Sequence, residues 1–165
     1  INNLKKGRYL TNIANSSSIN MCTGVGVYPE NHSHSIDFDK EIDILKKKID
    51  AGADYAVTQM FFDNKKYFDF VKMCRNKGVT IPIIPGIKIL DKPKQLENLE
   101  KIFNILIPNE LKNEAQENIN HIEEIGTKWA IKQSEELINE GVPVIHYYLM
   151  NDTSCMINIL NYIHK

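Results

Sequence analysis

Asp50-Ala51-Gly52-Ala53-Asp54-Tyr55-Ala56-Val57-Thr58-Gln59-Met60-Phe61-Phe62-Asp63 is the stretch that decides the fold. An amphipathic pattern runs into it and stops at Gly52, a residue that accepts the left-handed conformation of a helix C-cap. Residues 55–58 then form a short buried run of strand character. A polar Gln59 and two aromatics close that run, and Asp63 caps a new helix. The product is a helix–strand–helix unit with its decoration at the carboxyl end of the strand. In parallel α/β folds that end is where ligands bind.

The scheme repeats outward in both directions. Residues 21–27 are small, apolar and β-rich, and Tyr28-Pro29-Glu30-Asn31-His32 leaves them as a loop. Asp37 or Asp39 opens a helix whose buried stripe is Phe38, Ile42, Leu45 and Ile49. Glu41, Ile44 and Lys48 share another of its faces. Beyond Asp63, a helix over 64–77 turns Tyr67, Phe70, Val71 and Cys74 inward and stops at Gly78. Residues 79–84 make a third strand, ended by Pro85-Gly86. Asp91 and Pro93 open a helix with Leu96, Leu99, Ile102, Phe103 and Leu106 on its apolar side, and Pro108 breaks it. A long helix over 119–139 follows, with Trp129 and Leu137 inward. Its interior Gly126 costs about 1 kcal/mol relative to alanine, which points to close packing there. Residues 144–149 form the fourth strand and 153–164 a closing helix. Residues 1–20 read as the end of a preceding helix and a loop.

Four βα units in succession require a parallel α/β sheet with right-handed crossovers. Such a sheet is either doubly wound or part of an eight-stranded barrel. Four strands are half a barrel, with two unpaired edges and an open inner face. Together with a start at Ile1 rather than methionine, this leads us to expect four further units upstream.

Composition narrows the function classes. The 165 residues are 42% hydrophobic and 25% charged, with a formal net charge of -1. That balance argues against a nucleic-acid partner. No apolar run reaches membrane length, and no signal peptide is visible, which fits a cytoplasmic protein. Cys22, Cys74 and Cys155 form neither a disulfide framework nor a zinc pattern; they read as small buried hydrophobes.

The carboxyl ends of the four strands carry Tyr28, Glu30 and His32; Gln59, Phe61, Phe62 and Asp63; Gly86 and Lys88; and Tyr148, Asn151 and Asp152. This rim has no Ser-His-Asp set and no phosphate-gripping glycine loop. Aromatics and amides suit a flat heteroaromatic ligand, with rings to stack and amides to pair along its edge. Bland readings stand beside these. His32 and His34 lack a third metal ligand. Lys46-Lys47-Lys48 reads as a solvated helix face or an anion contact, and Phe61-Phe62 as core or platform. Gln59 either satisfies itself within the protein or meets a ligand.

The ordered series Gly26-Val27-Tyr28-Pro29-Glu30-Asn31-His32, Leu45 to Asp54, Thr58-Gln59-Met60-Phe61-Phe62-Asp63, Pro82-Ile83-Ile84-Pro85-Gly86-Ile87 and His146-Tyr147-Tyr148-Leu149-Met150-Asn151 resembles the second half of the catalytic barrel of methylenetetrahydrofolate reductases. The likeness begins near residue 20 and runs to the C-terminus. It implies an FAD-containing (β/α)8 TIM barrel, of which residues 1–165 supply about the last four units. It also implies reduction of 5,10-methylenetetrahydrofolate to 5-methyltetrahydrofolate by NADH or NADPH through the flavin, feeding methionine synthesis. Folate substrate and nicotinamide cosubstrate are the implied partners, in a homo-oligomer.

By the same resemblance, Tyr28, His32, Glu41, Lys47 and Lys48 fall at FAD positions. Gln59 falls where pterin and nicotinamide are met, Gln95 at a second folate contact, and Phe61 and Tyr148 at the pocket wall. Two positions depart from the family pattern. Ile44 replaces a polar flavin contact, and Asp152 stands where the family carries arginine. The family's catalytic acid, and the aspartate beside its flavin, come from strands earlier than Ile1, so no catalytic residue is expected in this chain. Two further readings remain: another pterin-binding or aldolase-type barrel enzyme, and a non-catalytic homologue acting as a binding subunit.

Overall fold

A computed structural model of the chain describes residues 1–9, 11, 17–30, 37–149 and 153–163. Helix α1 (Asn2–Lys5) is one turn long and docks on the far end of α2 (Phe38–Asp50), where Asn2 N donates to Ala51 O at 3.2 Å. Asp37 caps α2 by accepting from Asp39 N. The helix ends at Gly52, whose φ is 108°. There Ala53 N donates to Lys48 O and Gly52 N to Ile49 O, the paired bonds of a Schellman motif. The second half of the deciding stretch is equally regular. Strand β2 (Tyr55–Thr58) leads to helix α3 (Asn64–Asn76), which Asp63 caps through Lys65 N at 3.0 Å.

Strand β1 (Gly24–Val27) pairs in parallel with β2, and β2 pairs in parallel with β3 (Ile83–Ile84). Only Pro85 separates β3 from β4 (Gly86–Ile87), which pairs in parallel with β5 (His146–Tyr147). The third strand therefore starts later than expected and continues through the proline. Pro85 has no N–H to give, but its carbonyl accepts from His146 N at 2.9 Å. Gly86 N turns instead to the Thr58 hydroxyl at 2.8 Å, so a side chain bridges the kink. The first and fourth strands are likewise shorter than their apolar runs. Spatial order follows chain order, the winding that consecutive right-handed βα crossovers produce.

Helices cover one face of this sheet. Val27, Ala56, Ile83 and Ile87 join Ile42 and Leu45 of α2, Phe70 and Cys74 of α3, and Ile159 of α7 (Ser154–Ile163) in one core. Tyr67 of α3 is buried there and donates to Ile83 O at 2.8 Å. Residues of opposite parity point the other way. On that side Tyr55, Val57 and Ile84 are only half-buried, and Gly24 and Gly26 are exposed.

Helix α4 (Gln95–Phe103) buries Leu96 and Leu99, but Ile102 and Leu106 of its expected apolar side are exposed. The left-handed Asn104 ends the helix, so Leu106 is not on it. Pro108 starts rather than merely stops a helix: α5 (Asn109–Glu117) begins beside it, an element the sequence reading did not contain. The expected long helix is a 3-10 turn over Ile119–His121 followed by α6 (Ile122–Asn139). Gly126 does pack closely, since a Cβ there would overlap the Leu90 carbonyl. Met60, Phe62, Leu90, Leu96, Leu111 and Ile125 form a second core at the carboxyl end of the sheet. Cys74 and Cys155 are buried as expected, whereas Cys22 is exposed. Among the described residues no helix is long and apolar enough to cross a membrane.

Candidate functional site

Of the expected rim, Tyr28, Gln59, Gly86 and Tyr148 stand at the carboxyl end of the uncovered face. Tyr148 reaches from beyond β5 across β4 to donate its hydroxyl to Thr58 O at 2.9 Å. It crosses above Gly86, where a Cβ would overlap both the Tyr148 ring and the Thr58 carbonyl. His146 meets the Tyr148 ring edge-on at 4.6 Å. Burial raises the Tyr148 pKa, and a charge on Tyr28 would raise it further. Tyr28 leaves the first strand and Tyr148 the last, and the two are near enough for a charge on one to act on the other.

Gln59 lies on this face, half-buried, directly after β2. Its Oε1 accepts from Met60 N at 3.0 Å. That bond fixes the amide orientation, because only the oxygen can meet a backbone N–H. Gln95 is held in the same sense. Its Oε1 accepts from Asp91 N at 2.9 Å and from Lys92 N at 3.2 Å, and its Nε2 donates to Asp91 Oδ1. Both glutamines keep N–H donors; the Gln95 oxygen accepts two backbone bonds, and the Gln59 oxygen accepts one and retains a second lone pair.

Phe61 also needs correction. It is fully buried and stacked on Tyr67 with centroids 5.7 Å apart, so it belongs to the core behind the sheet and walls no open pocket. Trp129, expected as core, is half-buried and donates Nε1 to Phe62 O at 2.9 Å. It works with a buried clamp that sequence reasoning missed. Asn64 Nδ2 donates to Gln133 O at 2.9 Å and to Glu136 Oε2 at 2.7 Å, while Gln133 Nε2 donates to Asn64 Oδ1 at 3.1 Å. The clamp fixes the segment that follows Gln59. Its only sequence signal was polar residues on the inward stripe of α6.

Glu30, named in the sequence as part of the rim, belongs to the site's frame. Its Oε2 accepts from Leu106 N at 2.7 Å, tying the loop after β1 to the loop before α5. Its Oε1 is buried with no partner among the described residues. Burial raises its pKa, and the Leu106 N–H opposes that rise. Lys88, also on the expected rim, is buried as well. The residue is 8% exposed, and its ammonium lies 3.6 Å from Asp91 Oδ1.

The expected flavin contacts are spread along α2. Glu41 is buried in its first turn, while Lys47 is exposed and Lys48 half-buried in its last turn. Seven residues of helix place Glu41 and Lys48 about 10 Å apart, enough to hold different parts of one extended ligand. Ile44, between them, is 40% exposed. Lys48 Nζ donates to Gly26 O at 2.7 Å, a carbonyl on the edge of β1 that faces no strand among the described residues. Two adjacent cations beside an unpaired strand edge suit a pyrophosphate, so these residues fit an FAD. His32, Asn151 and Asp152 lie outside the described residues, as does His34.

A family model described as methylenetetrahydrofolate reductase matches residues 6–164. The chain is 35% identical over 138 residues to the 5,10-methylenetetrahydrofolate reductase of Buchnera aphidicola subsp. Schizaphis graminum, covering 82% of this chain and 47% of that protein. It is 33% identical over 133 residues to methylenetetrahydrofolate reductase 1 of Schizosaccharomyces pombe, covering 79% of this chain and 22% of the yeast protein. The chain therefore spans less than half the length of either relative. A solved Clostridium thermocellum protein, described as binding two copies of 5-methyl-5,6,7,8-tetrahydrofolic acid, superimposes with a TM-score of 0.56 at 21% identity. That match covers 87% of this chain and 54% of the other, and it shows the α/β fold alone. With the family model matched along nearly its whole length, the chain belongs to the methylenetetrahydrofolate reductase family.

Proposed function

We propose that this chain is the second half of a flavin-dependent (β/α)8 barrel that reduces 5,10-methylenetetrahydrofolate to 5-methyltetrahydrofolate with NADH or NADPH. The observation that carries the reading is the uncovered face of a sheet wound in chain order. On it the Gln59 amide, with N–H donors to spare, and the Tyr148 ring stand at the carboxyl ends of the strands. Tyr28 lines the same face. When bound, the FAD supplies the hydride relay between nicotinamide and folate. Everything else asked of this chain is binding and orientation. Lys47, Lys48, Glu41, Tyr28 and His32 hold the flavin. Gln59 donates to the pterin and, in the other half-reaction, to the nicotinamide carboxamide. Gln95 donates to the folate from the neighbouring strand, and Tyr148 walls the pocket. Acid–base groups come from the other half of the barrel, in a cytoplasmic homo-oligomer serving one-carbon metabolism.

The test is purification of the full-length protein that carries this chain. It should hold a yellow flavin that a reduced nicotinamide bleaches anaerobically, and 5,10-methylenetetrahydrofolate should restore the colour. A colourless protein, or a flavin that the folate does not reoxidise, overturns the reading.

A further inference from the structure

Lys88 follows β4 on the parity of Gly86, the side across which the Tyr148 ring lies. Its side chain is 9% exposed, and burying a cation costs free energy unless it is paired. The pairing is loose. At 3.6 Å from Asp91 Oδ1 the contact is an ion pair without a hydrogen bond, and among the described residues the ammonium makes no hydrogen bond. The same oxygen, Asp91 Oδ1, also receives Gln95 Nε2. Asp91 N and Lys92 N close the arrangement on Gln95 Oε1. One carboxylate oxygen therefore joins a buried cation to an amide whose acceptor is already spent.

We propose that Lys88 is a positioning residue for the folate, acting through the shared Asp91 oxygen to hold the Gln95 amide as a pure donor. The proposal rests on the folate reading above. The ammonium draws the half-buried Asp91 carboxylate towards β4, and Asp91 in turn takes one Nε2–H of Gln95. The remaining Nε2–H is left for an acceptor on the substrate, such as the pterin carbonyl oxygen. Without the cation, Asp91 has no counter-charge in a partly dry turn. It then relaxes outward, and Gln95 loses the bond that aims it. Lys88 thereby shapes folate recognition without touching the folate.

The experiment compares Lys88→Met, Lys88→Arg, Asp91→Asn and the Lys88→Met/Asp91→Asn double variant in the full-length protein. Lys88→Met should raise the folate KM about tenfold and change kcat less than threefold. Lys88→Arg, which keeps the charge, should restore the KM to within about threefold of wild type. Because Lys88 acts through Asp91, the double variant should be no worse than the worse single variant. An unchanged folate KM in Lys88→Met, or multiplied effects in the double variant, overturns the proposal. If Lys88→Met does not fold, Asp91→Asn decides: a folded variant with unaltered folate KM overturns the proposal, and a raised KM supports it. A wild-type flavin that folate fails to reoxidise would overturn the underlying reading instead, with no reference to the variants.

Discussion

At Gln59 the side-chain oxygen bonds the next residue's N–H, which fixes the amide and leaves its Nε2 hydrogens available on the uncovered face. Gln59→Glu keeps the size, removes those donors and sets a negative charge beside acceptors. Flavin content should stay near wild type, since the proposed flavin contacts come from other elements. Both half-reactions should slow, and folate affinity should fall by about 1–3 kcal/mol for a polar group left unpaired. Stopped-flow flavin reduction and reoxidation measure the two steps separately. Unchanged rates with lowered stability would make Gln59 a structural residue. That the Gln59 amide would be held by a partner was legible in the sequence, because an amide directly after a buried run must find one. Its orientation was not, because the oxygen's partner is a neighbouring backbone group that any residue at position 60 other than proline would supply. The same holds for Lys88. In a lysine-rich chain one more lysine carries little signal, and only the fold shows this one buried against Asp91.

Helices α2 and α3 were read correctly because several signals agreed, whereas α5 offered too few. Helices α2 and α3 each have an aspartate cap, an apolar stripe and a glycine stop, and both appear with those features in place. Helix α5 has only Leu111 and Ala115 as its buried pair within a polar stretch, too little periodicity to outweigh a preceding proline. Lys48 tests what α2 presents to a ligand. Lys48→Ala should weaken flavin retention by roughly 1.5–3 kcal/mol if a charge-assisted bond is lost, and Lys46→Ala should do little. Equal flavin affinity in the two variants, by apoenzyme titration, would leave Lys48 as a blunting contact on the β1 edge. The loop joined by Glu30 gives a pH test. An unfolded glutamate loses its proton near 4.5, whereas burial makes the folded one hold its proton to higher pH. Between those two values the folded state binds more protons, so this contribution to stability falls as pH rises through the window. Glu30→Gln should remove the trend. Denaturant midpoints of wild type minus variant, followed upward from about pH 4.5, should therefore decline with pH. A rising difference would mean that the carboxylate is stabilised by its surroundings.

Over the whole molecule, the sheet is finished on one side only. Helices α2, α3, α6 and α7 share the core with its strands on the covered side, while Tyr55, Val57 and Ile84 remain half-buried on the other side. A hollow of about 550 Å³ at the amino end is lined by Tyr55 and Ile84 together with Tyr67, Ile83, Val142 and Val144. Among the described residues, the outer edges of β1 and β5 pair with no strand. Unpaired edges beside apolar surface are templates for association, and Lys48 covers a single carbonyl of one of them. Expressed alone, the 165-residue chain should therefore form dimers or larger species, or bind hydrophobic dyes as an incompletely packed state does. Adding the upstream half of a barrel, in the same chain or as a separate polypeptide, should abolish dye binding. That half would cover the open face and pair both edges in one step. Light scattering and dye fluorescence on the two samples measure the difference. A monomeric 165-residue chain that melts cooperatively and binds no dye would show that half a sheet is closed by its own helices, and the barrel reading would lose its physical necessity.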